Sequence, residues 1–277
     1  MAQLTNHAED ALATWWRDGT ITLPTDWHIG IASAAGESSA TELAGTGYAR
    51  VAVTRSLANW SGTQGDGTTL ASSGTTHRST NNVAIDFGTA GADWGDANYL
   101  VLYDAATGGN RWAYIPIAPP FTITNGLPVS FAAGTVEFIL GLNALSDYLA
   151  NKIIDLLLRA QAYTRPSTIY GALYSDDPTS ADAGTEASGG GYARLAIAMT
   201  AGNWDIVSGE VRNAAPQAYP LPTGDWASGL PLTHEGFRDA ASLGNLLFYG
   251  ALDNPLSVRA GNPAPTHAAA GITLEWA

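Results

Sequence analysis

Carboxylates and histidines are the residues to weigh first for chemistry, because the 277-residue chain has no cysteine. Disulfides and thiolate metal ligands are thereby excluded. The five histidines, His7, His28, His77, His234 and His267, form no HExxH and no His-x-x-x-His pair. A zinc site on one helix face therefore has no support. His28, beside Trp27 in a strand-like run, reads as structural. His77, beside Arg78, reads as a solvated loop residue, with a partner contact as the alternative. Asp176, Asp177, Asp182 and Glu186 crowd one segment. Oxygen ligands so grouped could hold calcium, and the plainer reading is a solvated acidic loop. No Gly-x-Ser-x-Gly elbow anchors a serine hydrolase. Glycosidase carboxylates are paired in space rather than along the chain, and nothing singles out such a pair. Gly45-Thr46-Gly47 and Gly189-Gly190-Gly191 lack the lysine of a phosphate loop and lead into strand-like runs. They read as turns that need positive φ. The sequence thus assigns no catalytic, cofactor-binding or metal-binding residue and no cofactor, and the chain is expected not to be an enzyme.

What recurs instead is a set of large and polar residues in one order. Thr41 to Arg50 includes Gly45-Thr46-Gly47-Tyr48-Ala49-Arg50, answered by Gly189-Gly190-Gly191-Tyr192-Ala193-Arg194. Nine residues after each arginine stands Asn-Trp, Asn59-Trp60 and Asn203-Trp204. Asp93-Trp94 answers Asp225-Trp226, and Asp104-Ala105-Ala106 with Gly109-Asn110 answers Asp239-Ala240-Ala241 with Gly244-Asn245. Tyr114 then matches Tyr249. The chain reads as two tandem copies, residues 1–143 and 144–277, with a seam near 141–144. A Gly/Ser/Thr-rich stretch of the first copy, about 61–82, reads as an inserted surface loop. The second copy carries its own extension at 227–234. The recurrent residues suggest a scaffold: aromatic anchors, arginine bonding to loop carbonyls or an aspartate, and aspartate turning a hairpin. The competing reading is a sugar-binding platform of exposed Trp and Tyr.

The elements that would position these residues can be outlined. Ser146 is a plausible helix N-cap, followed by Leu149, Ile153 and Leu157 at helical spacing, with Arg159 in the last turn. Leu4, Ala8, Leu12 and Trp16 repeat that spacing in the first copy, with Gly19 as the stop. The helix stripe of the second copy is apolar enough to require a sheet or a partner chain beneath it. Strands are expected at 27–32, 48–55, 98–103, 111–117 and 136–140, then at 168–174, 192–199, 246–252 and 272–276. Residues 104–110 read as a hairpin loop. The expected fold is mainly β: two tandem β-sandwich (jelly-roll-like) domains, each led by one α-helix.

Composition bounds the function further. The formal charge is −13 and Lys152 is the only lysine, so binding to nucleic acid through its phosphates is disfavoured. Nine tryptophans and eleven tyrosines argue for a packed core over disorder. The first ten residues show no basic or apolar signal region, and no run is long enough for membrane insertion.

The order of motifs in the second copy resembles a family of small phage tail-fibre or minor virion structural proteins. It runs from the helix to Tyr170-Gly171-Ala172-Leu173-Tyr174, Gly-Gly-Gly-Tyr-Ala-Arg, Asp-Trp and the Asp-Ala-Ala-x-x-Gly-Asn hairpin. The first copy carries it more loosely. The family usually has a single such domain, and the resemblance implies no catalytic residue. It implies a virion structural component, a tail fibre or tail-associated protein that assembles with other copies of itself and other virion proteins. Three tandem chains would present six similar domains, able to bridge three-fold and six-fold parts of a tail. A fibre head binding a host surface glycan or receptor is the alternative.

Overall fold

The computed structural model describes residues 3–65, 70–140 and 144–276. Apart from Ala144, the expected seam lies outside these residues, as do Asp66 and Gly67 of the long stretch. The fold is mainly β, with one helix opening each half. The first half runs β1 (Gln3–Leu4), α1 (Asn6–Asp18), β2 (Asp26–Ala35), β3 (Ala40–Glu42), β4 (Val51–Thr54), β5 (Arg78–Thr80), β6 (Ile85–Thr89), β7 (Gly95–Tyr103), β8 (Arg111–Ile123), β9 (Pro128–Phe131) and β10 (Glu137–Ile139). The second runs α2 (Asp147–Leu158), β11 (Thr168–Tyr174), β12 (Leu195–Ala198), β13 (Trp204–Val207), β14 (Glu210–Asn213), β15 (Gln217–Ala218), β16 (Leu232–Arg238), β17 (Leu246–Leu256), β18 (Thr266–His267) and β19 (Thr273–Leu274).

The register makes the duplication visible in three dimensions. The main antiparallel sheet of the first half has the order β1-β8-β7-β2-β3, with β4 also on β2. The second has β12-β11-β16-β17, so that β4, β2, β7 and β8 answer to β12, β11, β16 and β17. Leu4 pairs with Ala113, and the matching Leu145 bridges Phe248. The ribbon β6-β9 is matched by β15-β18, and β5-β10 by β14-β19. Hairpin loops at 104–110 and 239–245 join the paired long strands, as the Asp…Gly-Asn motifs require.

Two sequence expectations shift by a few residues. The strands expected from Tyr48 and Tyr192 begin only at Val51 and Leu195, because both tyrosines are drawn off the sheet edge by their hydroxyl partners.

Both helices start where a hydroxyl can cap them. Thr5 accepts from the Ala8 N–H and Ser146 from the Leu149 N–H. Each hydroxyl also donates to the strand beside it, Thr5 to the Arg111 carbonyl at 2.5 Å and Ser146 to the Leu246 carbonyl at 2.5 Å. One residue thus ends a helix and fixes it to its sheet. Gly19 closes α1 in the left-handed conformation. A single apolar cluster runs through both halves, from Leu12, Trp16 and Trp27 to Ile153, Trp204 and Trp226. No helix among the described residues is long and apolar enough to cross a membrane.

Candidate functional site

The recurrent tyrosine and arginine meet at one carboxylate in each copy. Arg50 donates to both oxygens of Glu42 at 2.8 and 2.7 Å, and to the carbonyls of Ala105 and Gly108 in the 104–110 hairpin loop. Tyr48 donates to Glu42 at 2.9 Å and accepts from the Ile31 N–H. Arg194 repeats the bidentate pair with Glu186 at 2.8 and 2.6 Å and reaches the carbonyls of Ala240 and Leu243. Tyr192 repeats the tyrosine's part with Glu186 and the Leu173 N–H. A flat guanidinium is the side chain that can hold a carboxylate by two parallel bonds and still reach two carbonyls. The clamp ties the strand before it, the extended segment that carries the carboxylate and the hairpin loop together. Burial would lower the Arg50 pKa, but the bonds from Glu42 outweigh it and hold it above the ordinary value.

The other repeated residues also brace the fold. Trp60 and Trp204 are 0% exposed, which rules out a sugar platform at these two positions. The Trp94 and Trp226 indoles donate to the Thr46 and Gly190 carbonyls inside the glycine turns. Asp104 accepts from the backbone and side-chain amides of Asn110, and Asp239 does the same for Asn245. Burial opposes ionisation of Asp104, yet the Asn110 bonds prevail and its pKa lies below the usual value.

A further repeated pair, Asn81 and Asn213, escaped the sequence reading. Asn81 donates to the Val83 and Ala132 carbonyls and accepts from the Val136 N–H. Asn213 donates to Ala215 and Ala268 and accepts from Ile272. Their distances from the preceding Asn-Trp differ between copies, so spacing hid them; the shared Asn-x-x-x-Ile/Gln context is too short to have marked them.

In the acidic segment each carboxylate has a partner within the protein. Asp182 takes two bonds from Arg238, and Glu186 is the carboxylate of the clamp. Asp176 accepts from the Thr185 backbone and hydroxyl, which lowers its pKa, and Asp177 caps the Thr179 N–H. No group of three His, Asp or Glu side chains among the described residues is placed to bind a metal. His28 lies in β2 opposite Tyr103.

Part of the long stretch of the first copy, expected as a surface loop, is buried as a seat, while residues such as Leu70 and Arg78 stay exposed. Thr63, His77, Ser79 and Thr80 are nearly inaccessible. Of these, Thr63 and His77 meet α2, the helix of the other copy. Asn151 bonds to Thr63 and donates to the Gly74 carbonyl. Asp155 accepts from the Ser72 N–H at 2.9 Å and its hydroxyl at 2.7 Å. Arg159 pairs with Asp155 at 2.6 Å and donates to the carbonyls of Trp60 and Leu70. His77, expected to be solvated, is 2% exposed and lies 2.8 Å from Asp147 at the start of α2. From the other side Trp27 and Arg55 donate to the Leu157 carbonyl. Conversely, α1 packs against β13 and β14 of the second copy, with Trp16 edge-on to Phe248 and Trp276. Each helix, fixed to its own sheet, thus also reaches the other copy.

Two diverged copies, each with its helix on its own sheet and reaching the other copy, and each braced by the same clamp, tryptophans and hairpin aspartate, define a protein of doubled β-rich design. A family profile described as Podophage GP4 fiber I protein gp80 matches the chain twice, over residues 3–139 and 144–275. The chain belongs to this family, and is a tail-fibre structural protein of a bacteriophage virion. Curated proteins provide no match.

Proposed function

We propose that the chain is a passive, rigid element of the fibre, joined to other virion proteins and to further copies of itself by contact area and not by turnover. The observation that carries this reading is the reciprocal seating of the helices. It joins two repeat units, divided at 143/144, through one apolar cluster that runs through both. A body of that kind transmits force and fixes spacing without an internal hinge. Because α2 is buried on nearly every side, it is not available to a neighbour, and the surfaces left for assembly are the sheet edges and hairpin loops. Three such chains would offer six near-equivalent units, which suits a junction between three-fold and six-fold parts of a tail.

Cryo-electron microscopy of the purified particle tests this, together with light scattering of the full chain. Density in a ring or fibre, bonded to other virion proteins, is the expected result. A chain that stays monomeric at high concentration and contacts a single neighbour by one loop in the particle would overturn the assembly reading.

A further inference from the structure

Four corresponding positions have changed together between the copies, and in the second copy two of them, Glu235 and His267, line a cavity. Register matches Tyr219 to Phe87, Glu235 to Leu100, His267 to Phe131 and Gly171 to Ile29 as equivalent positions of the two copies. In the first copy these positions are apolar, with Ile29, Phe87 and Leu100 buried and the Phe87 and Phe131 rings packed edge to face at 6.1 Å. Phe121 leans on Phe131 from outside. In the second copy Leu256 stands where Phe121 does, and the apolar cluster becomes a hydrogen-bonded triad. Tyr219 donates to Glu235 Oε1 at 2.6 Å, and His267 Nε2 lies 3.0 Å from the same oxygen. Gly171 makes the room: a Cβ there would come within 2.8 Å of the Tyr219 hydroxyl and 3.2 Å of Glu235 Oε1.

Packing alone does not call for such a change. An apolar cluster already solves the problem at these positions in the first copy, and burying a carboxylate is costly without compensation. Glu235 is 9% exposed, and both of its side-chain bonds fall on Oε1, leaving Oε2 without a hydrogen bond. Its side chain and that of His267 form part of the wall of a cavity of about 230 Å³, completed by Phe237, Phe248, Tyr249 and Ile272. That volume lies below the roughly 300–1,000 Å³ of drug-sized sites, so it suits one small ring.

We propose that this cavity of the second copy binds a single uncharged sugar residue. Glu235 Oε2 would accept from ring hydroxyls, and His267 Nδ1 would hydrogen-bond a further one while Nε2 stays on Glu235. The Phe237 and Phe248 rings supply the apolar wall that the C–H face of a sugar requires. The carboxylate and imidazole balance one another, so the site selects neither a cation nor an anion strongly. Asp253, at the rim, is exposed and screened. The matching position in the first copy is filled by phenylalanine and leucine, so the first copy does not repeat the site.

Saturation-transfer NMR on the full chain tests this with a panel of glucose, galactose, mannose and their N-acetylamino forms, with glucosamine and a sialic acid as charged arms. Transfer to at least one uncharged sugar is expected. Glu235→Gln should weaken binding about tenfold or more, as loss of a charge-assisted hydrogen bond does. The joint variant Gly171→Ile, Tyr219→Phe, Glu235→Leu, His267→Phe carries the first copy's residues and should abolish it, with melting as the check on folding. His267→Phe alone serves where that variant does not fold. Transfer to no sugar, to a charged sugar alone, or unchanged transfer in the folded variants would each overturn the proposal. Incorporation into the particle is a separate readout, so failure here leaves the assembly reading standing.

Discussion

The helices α1 and α2 occupy matching places and are held by opposite means. Against the second copy, α1 presents Trp15 and Trp16 to Tyr163, Phe248 and Trp276, a seat made of aromatic rings. Against the first copy, α2 presents Asn151, Asp155 and Arg159, a seat made of hydrogen bonds. The cause lies in what each helix meets. The hairpin β13-β14 satisfies its own backbone, so only apolar burial is left to hold α1. The longer stretch between Trp60 and Asn81 is rich in Gly, Ser and Thr and has little apolar surface to bury. Its carbonyls and N–H groups need partners, and α2 supplies them. An insertion has therefore been absorbed by turning one helix face polar at the positions that meet it.

Arg159 gives the largest test of that contrast. Its guanidinium is fully buried, and Arg159→Ala would leave Asp155 charged and without its counter-ion, at a cost of about 3–5 kcal/mol. Asp18 stands at the matching place in α1, half-exposed and paired only with Arg17. Asp18→Ala should change stability by less than about 0.5 kcal/mol. Denaturant unfolding of both variants measures the difference. Equal effects would mean that the α2 seat is held by packing like its counterpart.

The two arginine clamps come next, as a place where the copies should agree. Removing either guanidinium costs hydrogen bonds to a charged group, about 2–3 kcal/mol. Arg50 also lies over the Tyr103 ring at 3.3 Å to its centroid, whereas Arg238 occupies the corresponding place beside Arg194. Arg50→Ala should therefore cost about 0.5–1 kcal/mol more than Arg194→Ala. A smaller loss for Arg50, measured by the same unfolding curves, would assign no net value to that stacking.

Sequence alone carried the duplication, both helices and most strands, because aromatic anchors and hairpin aspartates keep their order when loops drift. It carried the chemistry of the clamp as well, though glutamate, not aspartate, receives the arginine. That each helix also reaches the other copy was not legible. An apolar stripe such as Leu149, Ile153 and Leu157 says that a surface must cover it, and not which copy provides the surface. Nor was the burial of His77, since a Ser/Thr-rich stretch reads as solvated unless the partner helix is known. The Tyr219, Glu235 and His267 triad was missed because its members are far apart along the chain and meet only through strand register.

Leu243 allows a finer comparison at the hairpin tips. It holds a left-handed conformation, φ 55°, and is 85% exposed, where the first copy has Gly108 at φ 61°. A leucine there carries about 1–2 kcal/mol of backbone strain, and its side chain buries nothing in return. Leu243→Gly relieves that strain while adding about 0.4–1 kcal/mol of unfolded-state freedom. The net expectation is a protein about 0.5–1 kcal/mol more stable, seen as a raised melting temperature. A destabilised variant would show that Leu243 makes a contact within the chain.

The smallest effect concerns His267, whose counterpart Phe131 cannot titrate. Burial alone would lower the His267 pKa, but the hydrogen bond and charge of Glu235 prevail and raise it above 6.5. A group whose folded pKa is raised binds its proton more tightly when folded. Its contribution to stability is thus complete below about pH 6.5 and is lost as pH rises through the folded value. Melting of the parent and of His267→Phe, followed from about pH 5.5 to 8.5, isolates this term, since other titrations are common to both. The gap between the two curves should move in favour of the variant as pH rises. A gap that does not change with pH would mean that His267 is held to Glu235 in its neutral form throughout, with the hydrogen bond rather than the charge joining β18 to β16.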